Sequence, residues 1–280
     1  MLKHSSTLVV AFLLVVSGDV SAGDTPISEN RSLIGIDHMP TVVADLHKAS
    51  ESYRRIGFSL KPGRPHENGL QNRHVKFKDG SGIELISVPV APTDGMTRSY
   101  AELLRGGEGP AYISFHARDT DQLMSALSAA SIGFENDDGL ITISDQHLDF
   151  VFFVRDNRSP TDMPEHFAHS NGATAMTEVW LALDAPSLQS LRELFLALGS
   201  VERTETVKAP TSTLAHVFYL QNGRVVALPK NHQLIAGREI IGAQFRVPSG
   251  QPNSGGTGPT DTTVEPSIAH GLWLHLATQP

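Results

Sequence analysis

The stretch "GIDHMPTVVADL" (Gly35–Leu46) decides how the rest of the chain is read. Its β-branched and apolar residues around His38 predict a buried strand, and the run ends at Asp45, a residue type suited to cap a helix N-terminus. Leu46, Ala49, Tyr53 and Ile56 then recur at helical spacing, and Gly57 supplies a stop signal. "SLKPGRP", "RHVKFKD" and "GIELISVPV" follow as three strand-like runs. The unit is therefore βαβββ, with a histidine inside its first strand. Three roles are open to His38: metal ligand, packed core residue, or pocket lining.

The same order recurs twice. "PAYISFHARD" leads into "TDQLMSALSAASIGF", "LITIS" and "LDFVFFV", and aligning Asp119 with Asp45 superposes the helix exits "SIGF" and "RIGF". "AMTEVWLALDAP" leads into "SLQSLRELFLALGS", "VERTETV", "LAHVFYL" and "GRVVALP". Such repeats are an architectural signal, because one small sheet with one helix cannot cover both of its faces and must pair with another. The expected fold class is α+β, with repeated βαβββ modules forming open U-shaped mixed sheets or half-barrels. A module pair is expected over 33–160 (modules 33–92 and 110–156). A third module with C-terminal strands follows over 173–280, and "HGLWLHLA" (270–277) reads as a strand that could be the remnant of a fourth unit. The Pro/Gly/Ser/Thr-rich tract 248–266 is expected to be a flexible, exposed loop.

Composition narrows the function classes. The 280 residues are 40% hydrophobic and 19% charged, an ordinary globular balance. The net charge of -8 and the lack of a basic stripe argue against nucleic acid as a partner. Without cysteine there is no disulfide, thiol nucleophile or thiolate metal site. Lys3, the apolar run Leu8–Val16 and the "VSA" ending at Ala22 read as a signal peptide over 1–22, so the chain is expected to be exported, periplasmic or secreted, with no membrane partner once the leader is removed. No G-x-S-x-G elbow and no dinucleotide fingerprint is present.

At this point the residues resemble a known family. The stretch 35–60, then "GRPHENGLQNRHVKF" and "GIELISV", resembles the glyoxalase-like domain of the vicinal oxygen chelate superfamily. The matches are His38, Asp45, "IGF" at 56–58, His66, Gly69, Asn72 and "IELI" at 83–86, and "HFAHSNGATAMTEVWLAL" resembles the family's joint between halves. The resemblance implies paired modules curling around a cup. It also implies a histidine from the first strand and a glutamate from the fourth as metal ligands, here His38 and Glu84, with one divalent ion (Zn, Fe, Mn or Ni) as the cofactor. The implied activity is lyase, isomerase or dioxygenase chemistry on a small oxygen-rich molecule. The rival is a metal-free binding or sequestering protein on the same fold.

The residues themselves weigh on both sides. Imidazole and carboxylate suit such ions, but a catalytic site ordinarily takes three protein ligands. Counting back from Asp119 and Asp184 puts Tyr112 and Thr177 at the position of His38, and phenylalanines of "LDFVFFV" at that of Glu84. His116, His216, His270 and His275 are candidates outside the pattern. A carboxylate between Ile83 and Leu85 is costly unless partnered; its partner could be a metal, His38 or Arg73. A His38–Glu84 couple could move protons without a metal or simply tie two strands together. His66, Gly69, Asn72 and Tyr112 are expected to contact a small-molecule substrate, and a homodimer is left open. His74, Lys76 and Lys78 alternate with Val75 and Phe77, which predicts a solvated face.

Overall fold

The strand containing His38 is broken in two at Asp37. Ile34–Ile36 (β1) joins one sheet and His38–Val42 (β2) another. The Asp37 backbone explains the break: its N–H donates to the Ser114 carbonyl (3.0 Å) while its carbonyl accepts from Gly82 N–H (2.9 Å), so two sheets grip one residue. The computed structural model describes residues 32–155, 158–249 and 261–279. The expected leader, 1–22, lies outside them.

The first module continues with α1 (Leu46–Ile56), β3 (Lys61–Pro62), β4 (Gln71–Lys76) and β5 (Gly82–Ser87). Strands β2 and β5 pair in parallel, and β4 runs antiparallel to β5. Asp45 caps α1 by accepting from Lys48 N–H at 3.0 Å, and Gly57 ends it at φ 99°, a backbone angle glycine adopts without strain. A connecting helix, α2 (Gly95–Arg105), leads through β6 (Gly109–Pro110) into the second module. That module comprises β7 (Ile113–Ala117), α3 (Thr120–Ala129), β8 (Phe134–Asp137), β9 (Leu140–Ile143) and β10 (Val151–Val154). Strands β7 and β10 are parallel, as in the first module, and β1 lies antiparallel on β7.

The third module is β11 (Ala175–Leu183), α4 (Ala185–Ala197), β12 (Val201–Lys208), β13 (Ser212–Tyr219) and β14 (Arg224–Pro229), with β11 and β14 parallel. The tail repeats the pairing without a described helix. β15 (Ile240–Pro248) is parallel to β17 (Trp273–Gln279), β16 (Thr262–Val264) is antiparallel to β17, and β15 joins β11 to make a seven-stranded sheet. The tract expected as a loop over 248–266 is shorter at both ends: Pro248 closes β15 and Thr262–Val264 form β16, because each finds a pairing edge on β17. Residues 250–260 within it lie outside the described residues. No helix among the described residues is long and apolar enough to cross a membrane.

Helix-bearing faces of all the sheets meet in one core. Phe115, Phe195 and Phe218 stack edge-to-face at 5.2 and 5.5 Å, and Phe58 meets Phe245 at 5.2 Å. These contacts tie the second module to the third and the first module to the tail. The opposite faces form two cups. In the C-terminal half the cup is filled by Trp180, Val207, Val217, Val226, Leu228 and Ile241. In the N-terminal half it is lined by polar side chains on the first module's strands and by an apolar patch that includes Tyr112 and Phe152.

Candidate functional site

The polar cup follows from strand alternation. On β4 and β5, Val75, Ile83 and Leu85 are buried in the core, so Asn72, His74, Lys76 and Glu84 face the other way. Register completes the grouping, since Glu84 lies opposite Pro40 on one side and His74 on the other. His38 is at the near end of β2. Its Nδ1 donates to the buried carboxylate of Asp37, and its Nε2 stands 3.5 Å from Oε2 of Glu84. The other oxygen of Glu84, Oε1, accepts from Asn72 Nδ2 at 2.6 Å. Three consecutive contacts thus run Asp37–His38–Glu84–Asn72.

Burial opposes a proton on His38, but the hydrogen bond and charge of Asp37, with the charge of Glu84, outweigh it and hold the imidazole above its ordinary value. His74 goes the other way. Burial pushes it down to about 4 against the pull of Glu84, with His38, Lys76 and Lys61 adding repulsion, so it is neutral at physiological pH. The two histidines of the site are thus shifted in opposite directions.

Glu84, Asn72, His74 and His66 line a cavity of about 630 Å3, together with Lys61, Arg64, Lys76 and Arg158. His66 Nε2 and Asn72 Oδ1 are buried there without a protein partner, as is Ser114 Oγ on the helix-free face of β7. Such orphaned groups are costly unless something polar meets them. Gly63 is needed beside them: a Cβ on it would stand 1.5 Å from Asn72 Oδ1. A second, apolar compartment of about 360 Å3 adjoins the site, lined by Met96, Tyr100, Tyr112, Leu140, Val151 and Phe152 among others. The His38 ring meets Phe152 edge-on at 5.7 Å, and Phe152 meets Tyr112 at 6.4 Å.

Of the residues singled out from sequence, the structure brings together His38, Glu84, Asn72 and His66, with Tyr112 in the apolar compartment. Gly69 is different. At φ 83° it closes a turn by donating to the His66 carbonyl, and it does not line the cavity. His116 contacts the Ile36 carbonyl, His216 pairs with Glu202, His270 with Glu108, and His275 with Gln244, each away from His38. The expected solvated face of β4 is corrected. Lys76 is 2% exposed, because the segment after β10 crosses β4 and places Asp162 on the ammonium groups of Lys61 and Lys76. Asp37, Gly63, Lys61, His74 and Asp162 were missed; adjacency of Asp37 to His38 is the one local signal that could have found any of them.

The donor set falls short of the implied metal. His38 and Glu84 supply two donors, and the matching positions of the second module hold Tyr112 and Phe152. One oxygen of Glu84 is taken by Asn72, and among the described residues no three His, Asp or Glu side chains group to hold an ion. The residues present do not fit a divalent metal.

A family model described as "Glyoxalase-like domain" matches residues 36–204. The chain belongs to the glyoxalase-like domain family. This glyoxalase-like protein shares its fold with a hypothetical protein from Staphylococcus aureus at TM-score 0.62 and 12% identity, over 88% of this chain and 100% of that one. It also resembles the 2,3-dioxygenase LapB from Pseudomonas (TM-score 0.55, 10% identity, 89% of this chain and 93% of that one). Homoprotocatechuate 2,3-dioxygenase from Arthrobacter globiformis is similar as well (TM-score 0.53, 11% identity, 89% and 81%). At these identities the likeness is one of fold, the vicinal oxygen chelate architecture expected from the sequence. A search of curated protein sequences found no match.

Proposed function

We propose that this glyoxalase-like protein is an enzyme that moves a proton on a small oxygen-rich carbonyl compound bound in the N-terminal cup, with Glu84 as the base. The observation that carries the reading is the Asp37–His38–Glu84–Asn72 chain opening onto a polar cavity. Asn72 fixes one carboxylate oxygen, and the His38 imidazole, itself held by Asp37, stands behind the other. Glu84 Oε2 takes a proton from the carbon next to the carbonyl, the electron pair of that C–H bond moves into the carbonyl, and the resulting enolate oxygen faces a wall of lysine and arginine side chains. Returning the proton to the same carbon gives exchange; where that carbon carries a hydroxyl, whose proton passes to the former carbonyl oxygen, return to the former carbonyl carbon reforms the carbonyl on the first carbon and gives isomerisation.

Pyruvate in D2O is the test substrate, because loss of its methyl proton signal reports proton abstraction directly. The protein should accelerate exchange over buffer, and Glu84→Gln should lower that acceleration by about 100-fold or more. Exchange no faster than buffer, or undiminished in Glu84→Gln, would sink the proposal. The apolar side chains at Tyr112 and Phe152 favour the second reading, a binding or sequestering protein; pyruvate that binds without exchanging would select it.

A further inference from the structure

Sheet edges invite pairing, and among the described residues five of the six here are short. β8 has four residues, β1 and β16 three each, and β3 and β6 two each. The sixth is β12, the outer strand of the seven-stranded sheet. It runs for eight residues, Val201–Lys208, and among the described strands pairs with β13 alone. Its outer side presents a row of backbone N–H and C=O groups with no described strand across from them. Opposite charges follow one another along one face of this strand. Arg203 is exposed, lies over the Tyr219 ring at 5.4 Å and makes no ion pair among the described residues. Glu205, two residues on and so on the same face, accepts from the Tyr219 hydroxyl at 2.6 Å. On the other face α4 flanks the strand. Its Arg192 donates to the Glu202 carboxylate at 2.7 and 2.9 Å, and Leu196, one turn further along the same side of the helix, is 48% exposed.

We propose that β12 pairs antiparallel with β12 of a second copy of this chain, about a two-fold axis at Thr204. Two constraints select that register. Along an edge strand only every second residue turns its N–H and C=O outward, and in an antiparallel pair such residues must face each other. When a strand meets its own copy, the numbers of opposed residues therefore add up to an even number, and the axis falls on a residue. The central choices are Arg203, Thr204 and Glu205. An axis at Arg203 sets two arginines face to face, and one at Glu205 sets two glutamates face to face; like charges directly opposite destabilise a ladder. The axis at Thr204 sets Arg203 against the partner's Glu205 and Glu205 against the partner's Arg203, with Val201 and Val207 opposed at the ends. Two seven-stranded sheets then join into one continuous sheet. The α4 helices of both copies lie on the same side of it, with Leu196 of each beside the seam. The surface is thus an interface for a second copy, chosen by charge complementarity and by the one long edge.

Sedimentation equilibrium of the full chain at micromolar concentration, joined to disulfide cross-linking, tests it. The unaltered protein should sediment with twice the mass of one chain. Arg203→Glu replaces two attractive pairs by two repulsive ones and should weaken the dimer about tenfold or more. The chain has no cysteine, so an introduced one reports its own neighbour without interference. Thr204→Cys, at the axis, should form an interchain disulfide under mild oxidation, because opposed Cα atoms stand about 4.5–5.5 Å apart, within the span of that bond. Thr206→Cys, which faces the partner's Glu202 instead, should not. The proposal is overturned if the unaltered protein is monomeric, if Arg203→Glu dimerises as tightly, or if Thr204→Cys cross-links no more readily than Thr206→Cys. Should Arg203→Glu fail to fold, the comparison of the two cysteine variants decides alone.

Discussion

Gly63 has no functional group, yet it sets the position of Asn72. Its backbone N–H donates to the Asn72 carbonyl at 3.1 Å, and the Asn72 amide occupies the space where a Cβ on residue 63 would be. Gly63→Ala should therefore push the amide away from Glu84 and release Oε1. The expected result is pyruvate exchange lowered about tenfold or more, with a melting temperature a few degrees down, since one well-aligned hydrogen bond to a charged group is worth ~2 kcal/mol. Exchange kinetics and thermal melting of that variant would check it; an unchanged rate would mean that Asn72 does not orient the base. His38, Glu84, His66 and Asn72 were legible because the family resemblance singles out those positions. Lys61, His74, Lys76 and Asp162 were not. Alternation along β4 separates its two faces without saying which one is wet, and the answer came from a segment over 80 residues downstream, Asp162 on Lys76.

At the scale of the element, the module was readable because each helix starts at an aspartate that does the same work. Asp45, Asp119 and Asp184 accept from Lys48, Gln122 and Ser187 N–H at 3.0, 2.9 and 3.0 Å. Removing one such acceptor leaves an amide at the helix start unpaired, so Asp119→Ala should cost about 1 kcal/mol. The cup faces of the second module lie on its strands, so pyruvate affinity should stay unchanged while urea unfolding reports the loss; a variant as stable as the parent would deny Asp119 its capping role. One feature at this scale escaped sequence. The break at Asp37 falls inside a run that reads as one strand, and its cause is pairing with Ser114 and Gly82, which are remote in sequence. The strand read from "HGLWLHLA" was legible, and it pairs with β15 across the tract between them. A filled C-terminal cup was likewise invisible, since Trp180 reads as core on either face of β11.

Across the whole molecule, buried histidines set the response to pH. His74 is held down at about 4, and His169 and His275 are also lowered, in each case chiefly by burial. His169 accepts from Ser59 N–H at 3.0 Å and donates from Nε2 to the Lys76 carbonyl at 2.9 Å, an arrangement that requires a neutral ring. Between about pH 4 and 6.5 the unfolded chain binds protons at these three positions that the folded chain refuses, so stability rises with pH across that window. His38 has the opposite sign. Its raised value makes its contribution complete below 6.5 and lost as pH climbs through the folded value. Asp149 and Glu239, raised by burial, also lose their contribution with rising pH, but just above the ordinary carboxyl range. The three histidines dominate from pH 5 to 6.5, so the melting temperature at pH 5 should lie about 5 °C or more below that at pH 7. His169→Gln removes one of the three proton sinks and should narrow that gap. A melting temperature equal at the two values, or higher at pH 5, would show that these imidazoles take up protons without unfolding the chain. The same experiment separates stability from function: His38 is the group whose charge supports Glu84, so exchange should fall above pH 6.5, where the fold is still intact.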